Sequence, residues 1–269
     1  MRQARANTPR IAVVGAGFAG LRALGGLRRR RGDITLYEPR TATALQPVLP
    51  DVAGAWVAPQ LLQTPLAQLL PPRVRHIPQA VQAIDLAAKR ITDTAGASAD
   101  FDAIIIASGA RTLPCPFDTP QNSAFTCDSL EQAVKLRDHF LRYLAEAPRP
   151  HVVIVGGGYT GLELAAGLSS RARAQGVACQ ITVAEIAPRI LPFLRPRQRK
   201  FLERTLAALG VAVRTESQVT DWDGRAVTIN GEVHEDVFFC WAAGTTFVQQ
   251  ELHGALQRLR DGRIETLPD

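Results

Sequence analysis

The sequence predicts an α/β protein made of two similar domains, each built on a parallel sheet. The main observation is a repeat, because the stretch RIAVVGAGFAGLRAL at residues 10–24 returns as HVVIVGGGYTGLELA at residues 151–165. Each copy has an apolar run, closely spaced glycines and a helical pattern, and each is followed by a second apolar run, at residues 33–38 and 180–186. Each half therefore begins with a β-α-β unit, whose crossover helix implies parallel strands.

The other elements follow from periodicity and turn residues. In the first half we predict strands at 10–14, 33–38, 74–77, 80–85, 90–94 and 102–107, helices at 18–30 and 65–70, and an irregular Pro-rich stretch at 41–60. In the second half we predict helices at 129–147, 160–173 and 196–209, and strands at 151–155, 180–186, 211–214, 219–223 and 237–242, with a hairpin at Asn230-Gly231 before the last. A small β-meander is thus inserted before the closing strand of each half.

Composition is typical of a globular protein, with 46% apolar and 21% charged residues among 269. No apolar run approaches the length of a membrane helix, and no apolar segment follows the basic N-terminus, so we predict a cytoplasmic protein. The net charge is +6, with basic runs at residues 28–31 and 195–200. We interpret both runs as solvated helix ends and predict no nucleic-acid partner, while peripheral contact with the inner face of a membrane stays open.

The two glycine loops carry the clearest functional signal. In the first, Gly15 permits a tight turn, Gly17 lets the backbone approach a pyrophosphate, and Gly20 lets helix and strand pack closely. Phosphates would meet the free N–H groups at the helix N-terminus. The loop residues predicted to bind a dinucleotide are Gly15, Ala16, Gly17, Phe18, Ala19 and Gly20, and in the second copy Gly156, Gly158, Tyr159, Thr160 and Gly161. Both halves are therefore predicted to be Rossmann-like nucleotide-binding domains.

Each loop is followed by a carboxylate at the end of the next strand. Glu38, next to Pro39, lies 18 residues after Gly20, where it can accept the hydroxyls of an adenosine ribose. Glu185 occupies the matching place in the second half and favours an unphosphorylated ribose, which indicates NADH over NADPH, although Arg189 is nearby. The closing strands also match, since Ser108 and Gly109 follow the first and Gly244 follows the second. We predict that Pro39, Ser108 and Gly109 also bind a cofactor.

The four cysteines, at 115, 127, 179 and 240, form no C-x-x-C pair and have no histidine at metal-ligand spacing, so we predict no metal site. No cysteine pair follows the first glycine loop, which disfavours dithiol chemistry with a bound flavin. Two dinucleotides in one chain indicate hydride transfer from a nicotinamide to a flavin.

The motifs VVGAGFAGL, LQPVLPDVAG, FDAIIIASGA, VIVGGGYTGLELA and CWAAGT, in this order, resemble those of the two-dinucleotide-binding-domain flavoproteins, the pyridine nucleotide–disulfide oxidoreductase superfamily. The chain is most similar to the type II NADH dehydrogenases and apoptosis-inducing-factor-like proteins. The resemblance implies FAD at the first loop and Glu38, with Val81 contacting adenine and Pro47 beside the isoalloxazine. It implies NADH at the second loop and Glu185, with Gly244 near the nicotinamide and Glu163 as the catalytic carboxylate.

The resemblance also sets the predicted domains: an FAD-binding domain at 1–110, a crossover linker at 111–127, an NAD(H)-binding domain at 128–244 and a return segment at 245–269. The family continues into a Gly-Asp segment and an interface domain, so we expect the FAD domain to be incomplete at its C-terminal part. The predicted activity is an FAD-dependent NADH dehydrogenase that passes electrons to a quinone or another small acceptor. Two alternatives stay open, a sulfide- or thiol-oxidising flavoprotein using Cys115 and Cys127, and a non-catalytic dinucleotide-binding module. Self-association, or a second chain that completes the FAD domain, also stays open.

Overall fold

The computed structural model describes residues 8–119, 122, 124–247, 250–254, 256, 257, 259 and 263–265. These form two compact units. The first contains the described residues of Met1–Thr43, Gln63–Arg111 and Thr246–Asp269, and the second contains those of Ala44–Leu62 and Thr112–Thr245. Ala44–Leu62, which the sequence analysis placed in the first domain, thus belongs to the second unit. Part of the predicted return segment 245–269 lies outside the described residues.

The first unit contains the first β-α-β repeat. Its elements are β1 (Arg10–Val14), α1 (Phe18–Leu27), β2 (Asp33–Tyr37), β3 (Ala42–Ala44, whose last residue belongs to the second unit), β4 (Gln63–Pro65), α3 (Leu66–Leu69), β5 (Val74–Ile77), β6 (Val81–Asp85), β7 (Arg90–Asp93), β8 (Ser98–Asp100) and β9 (Ala103–Ile106). The main sheet has the order β5-β2-β1-β9, and every pairing in it is parallel. Strands β6, β7 and β8 form the antiparallel meander, and β19 (Glu251–His253) joins β6 in parallel.

The second unit repeats this plan after β10 (Ala110–Thr112). Its elements are α2 (Leu49–Ala53), α4 (Leu130–Glu146), β11 (His151–Val155), α5 (Tyr159–Ala174), β12 (Gln180–Ala184), α6 (Pro196–Ala208), β13 (Val211–Arg214), β14 (Val219–Trp222), β15 (Val227–Ile229), β16 (Glu232–His234), β17 (Val237–Trp241) and β18 (Thr245–Phe247, which continues into the first unit). The sheet order β13-β12-β11-β17 matches that of the first unit, again with parallel pairings, and β14-β15-β16 is its meander. The predicted fold class is confirmed.

Burial is greatest in the strands β1, β2, β11, β12 and β17, as expected for the continuous apolar runs of covered parallel sheets. In the second unit Val152 and Ile154 of β11 share a core with Leu164 and Leu168 of α5 and with Phe140 of α4. Helix α4 begins at an N-cap, where the Ser129 side chain accepts a hydrogen bond from the Gln132 amide at 3.2 Å. These helices hold β11, and therefore the second glycine loop, in a fixed position.

Helix α2 lies in the segment predicted to be irregular. Its Leu49, Val52 and Ala53 enter the core of the second unit. The Arg171 side chain of α5 donates to the carbonyls of Gly54 and Ala55 that follow α2. The Trp56 indole donates to the Gly167 carbonyl at 3.2 Å, and the Arg171 guanidinium lies 4.3 Å from the Trp56 ring centroid. These contacts fix the segment on α5.

Two further differences from the sequence prediction are local. Helix α1 ends at Leu27, so the arginines at 28–31 lie past its last turn, and β8 is a three-residue strand that periodicity missed. Within the described part of the chain, no helix has both the length and the apolar character needed to cross a membrane.

One buried histidine predicts an acid-sensitive fold. The pKa of His151 is lowered from 6.5 to about 4, first by burial and then by the neighbouring His234 and Arg214. The ring also forms a hydrogen bond of 3.0 Å with the Thr182 side chain. The folded state therefore prefers the neutral ring, and this stabilisation is present above pH 6.5 and is lost as the pH falls towards 4. Because the ring is only half buried, we expect it to account for about 1 kcal/mol of the unfolding free energy lost over that range.

The measurement is urea denaturation at several pH values for the protein and for His151→Gln. The pH-dependent loss of unfolding free energy should be smaller by that amount in His151→Gln. The control His253→Gln, at an exposed position of β19, should behave like the unchanged protein. An equal pH dependence in all three proteins would contradict this account.

Candidate functional site

The first glycine loop joins β1 to α1, and the local structure at its three glycines differs. Gly15 has φ +98° and its amide donates to the Tyr37 carbonyl at 2.8 Å, and a Cβ there would lie 2.4 Å from the Ala107 oxygen. A Cβ on Gly20 would lie 1.9 Å from the Gly15 oxygen. At Gly17, the N-cap of α1, no described atom lies within 4 Å of the Cβ position. Packing therefore requires Gly15 and Gly20, while Gly17 opens space at the helix N-terminus.

The second loop repeats this geometry between β11 and α5. Gly156 has φ +107°, its amide donates to the Ala184 carbonyl at 2.8 Å, and a Cβ there would lie 2.6 Å from the Ala242 oxygen. A Cβ on Gly161 would lie 2.0 Å from the Gly156 oxygen, whereas around Gly158 the described structure places nothing within 4 Å of that position. In the described structure each loop thus presents open space at a helix N-terminus without a side-chain cap, which is the arrangement that receives a phosphate.

A carboxylate is fixed beside each loop by equivalent hydrogen bonds. The Ala16 amide donates to Oε2 of Glu38 at 2.9 Å, and the Gly157 amide donates to Oε2 of Glu185 at 2.6 Å. Glu185 also accepts from the Ala187 amide at 2.7 Å. The two predicted acids therefore occupy the same place relative to their loops, at the carboxyl edge of each sheet, where α/β proteins bind ligands.

The two carboxylates differ in one respect that the sequence analysis missed. Glu38 is 3% exposed and accepts from the Arg40 amide and from both Nε and Nη2 of the Arg40 side chain, besides Ala16. Burial alone would raise the pKa of Glu38, but these hydrogen bonds outweigh it and hold the pKa below its usual value. Glu38 is thus an ionised carboxylate whose counterion is Arg40. In the sequence, the feature that points to Arg40 is its position two residues after this acid.

The other residues predicted in the first unit lie around its loop. Phe18, Ala19 and Pro39 are exposed, and Gly109 follows β9 with φ +79°. The Ser108 hydroxyl donates to the Gln250 side chain at 3.2 Å. Val81 is buried at the start of β6. These placements leave Phe18 and Ala19 free to face a ligand, and the roles of all six residues stay predictions.

In the second unit, Tyr159 and Gly244 are exposed, Thr160 is half buried, and Gly244 has φ +69°, which mirrors Gly109. Pro47 lies on the Ala44–Leu62 segment and therefore belongs to this unit. Glu163 lies in the first turns of α5, and its carboxyl group is accessible but partly desolvated. Burial and the Asp51 carboxylate of the neighbouring segment raise the pKa of Glu163. Asp51 lies within the motif LQPVLPDVAG, but the sequence analysis predicted no role for it.

Three of the four cysteines are buried thiols, Cys115, Cys127 and Cys240, and Cys179 is half buried. Burial, reinforced by acidic neighbours, raises the pKa of Cys115 to about 11 and that of Cys127 to about 12. Both are thus protonated at neutral pH and poor nucleophiles, which disfavours the sulfide- or thiol-oxidising alternative.

The family model of the pyridine nucleotide-disulphide oxidoreductases matches residues 9–267. The chain belongs to this family. An NADH dehydrogenase-like protein of Mycobacterium tuberculosis is 30% identical over 273 aligned positions, which cover 95% of this chain and 68% of that protein. The demethylphylloquinone reductase of Synechocystis is 31% identical, with 96% of this chain and 67% of that protein covered.

The fold of this oxidoreductase chain also occurs in solved structures. The structure of NDH2 from Plasmodium falciparum in complex with NADH has a TM-score of 0.79 at 21% identity. The match covers 90% of this oxidoreductase chain but only 56% of the Plasmodium chain. The chain therefore corresponds to little more than half of that protein, and the likeness establishes the fold.

Proposed function

We propose that this oxidoreductase binds FAD at the first loop and NADH at the second, accepts a hydride from NADH and passes the electrons to a quinone or another small acceptor. The observation that carries the proposal is the duplicated device. Each unit combines an open helix N-terminus at Gly17 or Gly158 with a carboxylate held by the loop backbone. The names of the relatives, which include an NADH dehydrogenase-like protein and a quinone reductase, support the same chemistry.

Both loops fit a dinucleotide on their own geometry. The space at Gly17 is one that a Cβ would fill, and among the described residues no side chain caps the first N–H groups of α1. FAD, when bound, supplies the hydride acceptor of the reaction. The chain's own residues hold the pyrophosphates at α1 and α5 and orient the adenosine riboses through Glu38 and Glu185, so that binding energy supplies positioning.

Glu163 is the proposed acid near the reacting groups. Its raised pKa and its accessibility keep a proton available on this carboxyl group at a higher pH than for a free glutamate. A quinone acceptor would come from a membrane, so the proposal includes a peripheral position at its inner face. The Arg40 side chain, which neutralises Glu38, would be placed beside the adenosine of the first ligand.

Glu185 is proposed to select NADH, and Glu185→Gln tests this. Replacing the carboxylate removes a charge that opposes a 2′-phosphate and one acceptor for the ribose hydroxyls. We expect NADH affinity to fall by roughly 10-fold and the preference for NADH over NADPH to shrink, as measured by equilibrium titration with each coenzyme. Glu203→Gln, on the exposed face of α6, is the control and should leave both affinities unchanged. An unaltered preference in Glu185→Gln would contradict the assignment.

A further inference from the structure

Two exposed aromatic rings lie together beside the second glycine loop. Tyr159 is the first residue of α5, and Phe193 lies in the segment between Glu185 and α6. Their ring centroids are 5.8 Å apart, and the side chains are 58% and 66% exposed. Apolar surface of this kind next to an open loop indicates a contact surface for a ligand.

The segment that carries Phe193 is anchored to the loop. Ile190 and Leu191 are buried, and Ile190 packs so closely on Gly157 that a Cβ on this glycine would lie 2.6 Å from the Ile190 Cγ2. The neighbouring residue, Leu191, has φ +39°, and its carbonyl accepts a hydrogen bond from the Leu194 amide at 3.0 Å. Phe193 therefore sits at the tip of a closed turn whose base is seated on the glycine loop.

A side chain of α6 fixes the same turn from the other side. Arg199 Nη2 donates to the carbonyls of Pro192 at 3.2 Å and Leu194 at 3.1 Å, which flank Phe193. The backbone on both sides of the ring is thus held without any ligand contact. A preorganised ring loses little conformational freedom when a ligand covers it.

We propose that Phe193 is a binding residue for the ADP-ribose half of the dinucleotide at the second loop, with Tyr159 as its ring partner and Arg199 as its positioning residue. The inference rests on the proposed function, because it takes that loop as a dinucleotide site. Glu185 and the N–H groups of α5 serve the hydroxyls and phosphates, whereas Phe193 offers only a flat apolar face. It should therefore contribute affinity and leave the choice between NADH and NADPH unchanged.

Isothermal titration of the full chain with ADP-ribose and with NADH tests this proposal. Phe193→Ala should lower the affinity for both ligands by about 5- to 20-fold, the usual effect of losing one aromatic contact. The ratio of the affinities for NADH and NADPH should not change. The matched control is Phe201→Ala, because Phe201 is a phenylalanine of similar exposure, 73%, on the outer side of α6. It should bind both ligands as the unchanged protein does.

The positioning role of Arg199 is tested in a double-mutant cycle. Arg199→Met should lower the affinity for ADP-ribose by about 3-fold. In the double variant with Phe193→Ala it should cause no further loss of affinity, because Arg199 acts through Phe193. If Phe193→Ala bound both ligands with the affinity of the unchanged protein, or if Phe201→Ala lost as much affinity as Phe193→Ala, the inference about Phe193 would be overturned and the proposed function would stand. Failure of the unchanged protein to bind either ligand would instead overturn the proposed function of this loop, and the inference with it.

Discussion

Gly17→Ala is expected to leave the fold intact and to lower the affinity for FAD by roughly 10- to 100-fold. The backbone of Gly17, φ −77° and ψ −168°, is open to alanine, and among the described residues nothing approaches within 4 Å of the new methyl group. The methyl group would instead occupy the space in which the backbone meets a pyrophosphate. The measurement is flavin content after dialysis, together with the affinity of the dialysed protein for FAD.

Gly25→Ala is the matched control, because Gly25 also lies on α1 and the described structure leaves its Cβ position clear. Alanine in a helix interior should raise the unfolding free energy by about 0.5–1 kcal/mol and leave FAD binding unchanged. Retention of flavin by Gly17→Ala at the level of Gly25→Ala would contradict the role of this loop.

Gly20→Ala is expected to damage the fold itself. Its Cβ would lie 1.9 Å from the Gly15 carbonyl oxygen, and both atoms belong to the rigid junction of β1 and α1. Because the helix must move away from the strand, we expect a loss of about 3–5 kcal/mol in unfolding free energy, enough to unfold a protein of ordinary stability. Urea denaturation followed by circular dichroism measures this loss.

Gly26→Ala controls for the helix, since no described side chain or backbone atom lies within 4 Å of a Cβ at Gly26. It should be at least as stable as the unchanged protein. If Gly20→Ala unfolded at the same urea concentration as Gly26→Ala, the close packing of helix on strand would be wrong. The pair of predictions for Gly17 and Gly20 thus separates a glycine required by the ligand from one required by the fold.

The repeat predicted the parts of the structure that depend on local sequence. A strand, a glycine loop and a helix are encoded within about 20 residues, so both β-α-β units were located, and Glu38 and Glu185 followed from their distance to the loops. Gly15 and Gly156 each have a positive φ, which glycine adopts readily, so the tight turn at the start of each loop is also encoded locally.

The parts that could not be predicted depend on contacts between distant residues. The Ala44–Leu62 segment is rich in proline and has no regular apolar periodicity. It is held by Arg171, which lies more than a hundred residues away in sequence. Strand β19 pairs with β6 across a still longer distance in sequence, since Glu251 lies opposite Ala83. The bond between Glu38 and Arg40 is local, but a position two residues after the acid does not by itself fix the conformation that turns the arginine back onto the strand end.

The most direct test of the account is the visible absorption spectrum of the purified chain, supplied with FAD, before and after NADH is added without oxygen. The account predicts a flavin band that bleaches on addition of NADH, because the first loop holds the flavin and the second delivers the hydride donor. A protein that stays colourless with FAD, or a flavin band that NADH leaves unchanged, would contradict it.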